Sequence, residues 1–542
     1  MGRGAAMRPA RRQALLATAA LALAGCARPG PPLQGGWVGS DPARGHGLRA
    51  VPRDKLATGP VQRAAALVVG AGVAGLAAAR ALMQAGVDDI RVFELEDQAG
   101  GNSRGHVVDG IACPLGAHYL PLPGPQAHEV ADWLHEIGLL HTVAGRTVAD
   151  ERHLCHSPQE RLFIDGAWHE GLLPPAASGS ATRAEYQRFA AAVARAQREA
   201  GFAIPSRRAP WTDAHRRLDA QTFAQWLDGL GLRDERLRWY LDYACRDDYG
   251  APAAEVSAWA GLHYFGSRHG FHAPGAEDGE REAVLTWPEG NAWLVRHLAA
   301  PLGERLLAAR SARRVSVGRH GVELTVWNEG RGTAETWAAP AVILAVPMHV
   351  AARIVDAPPP ALVVAAALIT HAPWLVAHLR LDAPLLDRGV GASAAWDNVY
   401  YGGASLGYVD AGHQRMDPTP RPTVLSAYWA LAAAQRAALA APDWRPWAQQ
   451  VIAELLPLHP DLPQRLQRLD LARHGHAMAV PRPGVRGHAA LVALADAGPA
   501  TRLHFAHADL SGYSVFEEAF GHGHRAGMAL ARQWQRGLFR RA

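Results

Sequence analysis

Ala66-Leu-Val-Val-Gly70-Ala-Gly72-Val-Ala74-Gly75-Leu-Ala-Ala-Ala-Arg80 is the stretch that decides the fold. A short apolar run with the look of a buried strand enters a turn carrying three glycines. A small-residue helical pattern then continues to Ala85. A second apolar run, residues 90–93, ends on an acid, Glu94, 24 positions after Gly70. Gly70 lets the strand turn sharply, Gly72 lets the backbone approach a pyrophosphate, and Gly75 lets the helix sit tightly on the sheet. The helix N-terminus, at Ala74, supplies N–H groups and positive dipole to an anion. Glu94 falls where a carboxylate accepts hydrogen bonds from a ribose hydroxyl. Strand, turn, helix, strand and acid in this order predict a dinucleotide-binding unit.

At 542 residues the chain exceeds the usual size of one hydrophobic core, so two or more lobes are expected. Its 17 tryptophans argue against disorder. The formal charge is +5, but Arg3, Arg8, Arg11 and Arg12 precede residue 26 with no acid among them. Without that segment the net charge is about +1, which gives nucleic-acid binding no support. Basic residues are almost all arginine. Lys55 is the sole lysine and precedes the first strand, so the folded body has none to form a Schiff base or to hold a water at a cofactor.

Residues 1–26 read as a processing segment. Arg11-Arg12 precede a short apolar region, residues 14–24, well below the ~20 residues that span a bilayer. Leu23-Ala-Gly-Cys26 resembles a lipoprotein cleavage box with Cys26 as the lipidated residue, and the twin arginines resemble a Tat signal. Residues 27–62 would be a linker, and the protein an exported, periplasm-facing lipoprotein touching the membrane only through its lipid. Cys113, Cys155 and Cys245 lack metal-ligand spacing. They are read either as one disulfide plus a thiol or as free thiols, and no metal site is expected.

Beyond Glu94 come Asp97-Gln98-Ala99-Gly100-Gly101-Asn102-Ser103-Arg104 and then Gly116-Ala117-His118-Tyr119. With these, the chain resembles the flavin-containing amine oxidase superfamily, whose N-terminal pattern is a glycine turn, a ribose acid, a Gly-Gly loop and a Gly-Ala-x-Tyr-like segment. The resemblance implies FAD lying along these elements, with its isoalloxazine near the last. The family usually has arginines where this chain has Gln98 and Asn102, which would pass the phosphate contact to Arg104.

The C-terminal region from Leu503 to Gly527 resembles the family's second FAD motif. Asp509 replaces the usual glutamate near the ribityl chain. Val515, Phe516 and Ala519 open a helix whose N-terminus would face the flavin's pyrimidine oxygen. Between the motifs, a residue near Val315 would touch the adenine end through its backbone. Arg353 falls where the family carries a lysine, and arginine stays charged and cannot act as a base near neutral pH. Tyr401, Tyr428 and Trp429, on two strand-like pieces, are candidate walls for an amine, with a core role equally open. Residues 238–250 gather aromatics and acids. Tyr249 could be a further wall with Asp247 or Asp248 as counter-charge, or the cluster could be a plain helix end.

The expected fold is α/β. A Rossmann-type FAD lobe is built from residues 63–125, 280–345 and 490–542, and an inserted α+β substrate domain takes residues 126–279, mainly helical, and 346–489. The resemblance implies an FAD-dependent oxidoreductase of amine oxidase type, with FAD held non-covalently. Hydride would pass from an amine or amino-acid-like C–H to flavin N5, and the imine would then hydrolyse. The alternatives are a carotenoid-type desaturase or isomerase and a non-catalytic FAD-binding protein. Neither the electron acceptor nor a general base is assigned.

Overall fold

The computed structural model describes residues 33–49, 59–274, 283–387, 390–415, 419–496, 498 and 501–538. The proposed signal, Cys26 and Lys55 lie outside these residues.

The quoted stretch forms the strand Ala66–Val69, buried throughout, and the helix Val73–Gln84. It sits in a five-stranded parallel sheet in the spatial order Leu306–Leu307, Ile90–Phe93, Ala66–Val69, Val342–Leu344, Leu503–Phe505. Beginning, middle and end of the chain therefore share one sheet, as the motif order implies. All strands are parallel, and the two central ones, Ala66–Val69 and Val342–Leu344, are buried throughout and read as continuous apolar runs, whereas Arg91 and His504 interrupt the strands beside them. The helix Phe516–Gln535 lies against Val73–Gln84 at a distance only glycine permits. A Cβ on Gly523 would stand 2.0 Å from the Ala74 carbonyl, and one on Gly527 would stand 2.5 Å from that of Ala78. A four-stranded sheet, Arg310–Val317, Val322–Asn328, Thr333–Ala339 and Gln62–Arg63, flanks this lobe.

The second lobe is an eight-stranded mixed sheet. Its long central strands, His371–Leu381, Thr423–Ala430 and Leu466–Ala479, pair antiparallel. Helices from Ala181–Glu199 to Ala258–Tyr264 pack on one face around Phe189, Phe223 and Tyr249. The helix Arg445–Leu455 covers the other face, where Trp429 and Trp447 are buried.

The structure differs from expectation at four places. Residues 27–62 are not simply a linker. Gln34–Val38 adds an edge strand beside Leu466–Ala479, and Pro42–His46 forms a short helix capped by Asp41. The segment had too few apolar residues to signal this, because an edge strand draws its stability from backbone pairing. The helix His128–Glu136 belongs to the first lobe, with Val130, Trp133 and Leu134 in its core, so that lobe extends past residue 125. The helices Met348–Ile354 and Pro360–Leu368 also pack on the first lobe, and the chain reaches the second sheet only at His371. Residues 140–170 are strands rather than helix.

Candidate active site

In open parallel sheets ligands bind beyond the carboxyl ends of the strands. Here those ends carry Gly70, Glu94, Ala345 with Val346, and Ala506 with His507. Gly70 has φ 97° and lies against the Ala345 carbonyl, so no other residue fits comfortably. A Cβ on Gly75 would be 1.8 Å from the Gly70 carbonyl oxygen. Gly72 is different: a Cβ there would meet only the Gly101 Cα, at 4.0 Å. It opens the helix with no side-chain cap, leaving the first-turn N–H groups, including that of Ala74, without a capping side chain. A bare, uncapped helix start facing open space suits a pyrophosphate, so the chain's residues fit the dinucleotide that the motifs imply.

The Gly100 N–H donates to the Ala71 carbonyl, which sets the Gly-Gly loop against this turn. Glu94 is buried and accepts N–H groups from Ala71 at 2.9 Å and Glu96 at 3.0 Å. Burial raises its pKa, and the two N–H donors partly oppose the shift. Ser103 is buried and caps the loop through its backbone.

Arg104 does not take the phosphate role. Its guanidinium is spent on the Gly101 and Gly39 carbonyls and the Ser40 hydroxyl, fastening the N-terminal segment to the loop. Asn102 donates its amide to the Ala477 carbonyl in the second lobe. With both side chains committed elsewhere, the donors left at this loop for an anion are backbone N–H groups. Val315 is also misassigned. It is wholly buried and its carbonyl accepts the Asp356 N–H, whereas residues 307–310 are the ones bonded to the backbone of Glu94 and Glu96.

Asp509 is fully buried at the end of the last strand. It accepts the Met348 N–H at 2.8 Å and the His371 Nε2–H at 2.9 Å, with His507 Nδ1 at 3.1 Å. Burial works against its charge, but the two imidazoles outweigh it and hold the carboxyl well below the usual range. Val515 is the N-cap of the final helix, again without a side-chain cap. Phe516 points into the first-lobe core against Trp133 and Phe520, so it is a packing residue, and Ala519 packs against the same core.

Gly116 passes so close to the Gly-Gly loop that a Cβ would lie 2.4 Å from the Asn102 carbonyl, and Ala117 donates to that same oxygen. His118 follows, its ring stacked on Tyr428 at 4.5 Å and 5.5 Å from Trp396, while Tyr119 lies 6.0 Å from Trp396. The Tyr428 hydroxyl donates to the Gly116 carbonyl, tying the second sheet to the Gly116–Tyr119 segment. His118, Tyr119, Tyr240, Tyr264, Asp247 and Asp397 lie deep in the protein, each with part of its surface still accessible, and the two acids are close enough to act on Tyr119. Burial lowers the His118 pKa to about 4, leaving it neutral. Burial, then the Asp248 charge, pushes Asp247 up to about 7, and burial with Asp247 and Glu160 raises Asp397.

Four aromatic and basic candidates fall elsewhere. Strand alternation sends Trp429 to the opposite face from Tyr428, into the core beneath Trp447. Tyr249 is wholly buried, bonded to the Ala260 carbonyl and packed on Tyr513. Tyr401 lies on Trp239 near the charged surface residues Glu235 and Arg236. Arg353 is on the exposed side of Met348–Ile354. Trp396, Asp397 and His371 were missed. They sit on strands of the inserted lobe with no local motif to mark them. All three cysteines are free.

The family model of flavin containing amine oxidoreductases matches residues 73–531, most of the chain. The chain belongs to that family. A Mycobacterium tuberculosis protein named as a flavin-containing monoamine oxidase, AofH, is 29% identical over 302 residues, 54% of this chain and 59% of that protein. Putrescine oxidase of Kocuria rosea is 31% identical over 166 residues, 30% of each chain. The matched stretch thus spans little more than half the length of the first of these curated relatives. Among solved structures, putrescine oxidase bound to putrescine superposes with a TM-score of 0.64 at 19% identity, covering 86% of this chain and 99% of that one. Cyclohexylamine oxidase from Brevibacterium oxydans gives 0.64 at 18%, covering 87% and 99%. At that identity the likeness is one of fold. A flavin is the cofactor the family implies, and the amine oxidoreductase fold accounts for the two-lobed architecture around the glycine turn.

Proposed function

We propose that this chain is an FAD-dependent oxidoreductase that oxidises a small-molecule amine. The observation that carries the reading is the aromatic cluster of His118, Tyr119, Trp396 and Tyr428, with Asp247 and Asp397 close enough to act on Tyr119 and Tyr428. Aromatic faces and carboxylates together attract an ammonium group. An amine must lose its proton before its C–H can leave as hydride, and a carboxyl with a pKa near 7 can take that proton. The cofactor, when bound, supplies the hydride acceptor. The chain's share is to orient the amine, exclude water and move the proton. Carboxyl groups beside this aromatic cluster disfavour a long polyene, which would need an apolar passage.

FAD binding is taken to be non-covalent. Cys113 and Cys245 are buried with their thiols pushed up by burial, Cys113 to about 12, so neither offers a thiolate. We also propose export and lipid anchoring through Cys26, supported by the sequence pattern of residues 1–26. Among the described residues no helix is long and apolar enough to cross a membrane.

The deciding experiment is anaerobic titration of the yellow protein with a panel of mono- and diamines, followed by air. Bleaching of the flavin band by an amine is the expected result, and recovery in air would identify oxygen as an acceptor. A flavin that no amine bleaches overturns the reading. Acid precipitation should leave the flavin in the supernatant.

A further inference from the structure

Among the described residues one group of three metal-capable side chains converges: His349, His371 and His476. Their ring centroids are 5.1 Å apart for His349–His371, 4.7 Å for His349–His476 and 5.9 Å for His371–His476. One nitrogen from each lies within 4.8 Å of the others. Three separate elements deliver them. His349 is in the first turn of Met348–Ile354, His371 begins its strand, and His476 stands on Leu466–Ala479 where that strand's pairing with His371–Leu381 shifts register.

We propose that His349, His371 and His476 form a binding site for a late first-row divalent cation, with zinc as the reference ion. Three imidazoles suit zinc, copper or nickel and exclude calcium and magnesium, which need oxygen donors. In a tetrahedral zinc site the ligand nitrogens are ~3.3 Å apart, given Zn–N bonds of ~2.0–2.1 Å, so small side-chain rotations close the observed spacing. For His371 the proposed donor is Nδ1. Its Nε2 is committed to the buried Asp509 at 2.9 Å, which leaves Nδ1 for the ion and places a carboxylate behind the ligand. Arg436 donates to the His371 and Gly475 carbonyls, which holds the two strands in register beside the site. His371 is buried, His349 half-buried and His476 exposed. The ion would thus be reached from solvent and would keep an outward position for water.

The test needs neither substrate nor turnover, so its outcome is separate from that of the proposed activity. Tag-free, flavin-loaded protein is stripped with a chelator, equilibrated with zinc, and analysed for bound metal and flavin together. About one tightly held zinc per chain is expected in the wild type. H349A and H476A should each weaken zinc binding by about tenfold or more with flavin content unchanged. H320A, at an exposed histidine elsewhere, should retain the metal. Absence of saturable zinc in the wild type, or equal binding in H476A, overturns the proposal. Because His476 is exposed, that variant stays informative even if H349A fails to fold.

Discussion

His371 Nε2 lies 2.9 Å from a carboxylate oxygen of Asp509, a contact between residues 138 positions apart. It joins the start of the long central strand His371–Leu381 of the inserted lobe to the turn that follows the last strand of the dinucleotide lobe. Asp509 keeps its charge in a fully buried place because this imidazole, His507 and the Met348 N–H all face it. H371A removes one donor from a buried carboxylate and should cost about 1–3 kcal/mol. Denaturant unfolding of the two proteins side by side measures it, and an unchanged midpoint would contradict the role.

The two glycines at the turn should behave differently. In G75A the new methyl meets the Gly70 carbonyl oxygen at 1.8 Å, so the turn cannot close and the protein should be destabilised by about 1–3 kcal/mol or more. In G72A the methyl enters open space, so folding should survive. FAD affinity should nonetheless fall by about tenfold or more, equivalent to ~1.4 kcal/mol, because the methyl takes the place of the pyrophosphate. Flavin content against melting temperature separates the two cases.

Tyr428 should contribute through both its ring and its hydroxyl. Y428F keeps the stack on His118 but loses the bond to the Gly116 carbonyl, a loss of about 0.5–1.5 kcal/mol in stability. Y428A removes the wall as well, and kcat/KM for the best amine should fall further than in Y428F. R353A, at an exposed position, should change stability by no more than about 0.5 kcal/mol and leave turnover intact.

Acid should destabilise the fold early. His263, His378, His459, His504 and His522 are buried, and burial is the first cause of pKa values lowered to about 4, 3, 4, 4 and 3. A histidine whose folded pKa lies below its unfolded value contributes stability that is complete above ~6.5. That contribution is lost as pH falls from there towards the folded value. Each group costs about 1.4 kcal/mol per pH unit in that window. Melting temperature should therefore drop steeply between neutral pH and the low fives, and H378Q should flatten the slope. A pH-independent melting temperature over that range would refute the account.

Much of the dinucleotide lobe was legible because its signals are local. Gly70 and Gly75 are required by the close backbone contacts of one short βαβ unit, so their spacing alone marks the turn. The inserted lobe offered no such shortcut. Tyr428 and Trp429 are neighbours of equal aromatic character, and only the sheet's placement decides that one packs on the side of His118 and the other on the side of Trp447. Arg104 looked like a phosphate ligand until the edge segment at Gly39 and Ser40 was seen to claim it.

By itself, then, the chain's order of residues determined the dinucleotide lobe, its assembly from three distant segments and the family to which it belongs. The βαβ unit follows from short-range sterics of glycine and from apolar periodicity, which one strand and one helix can express alone, while the three-segment assembly and the family were implied by the resemblance of the motifs at both ends. The tertiary structure decided which aromatics and acids meet between the lobes, and that His349, His371 and His476 converge. Those relationships depend on strand register and on side-chain face, quantities set by packing between elements that lie far apart in the sequence.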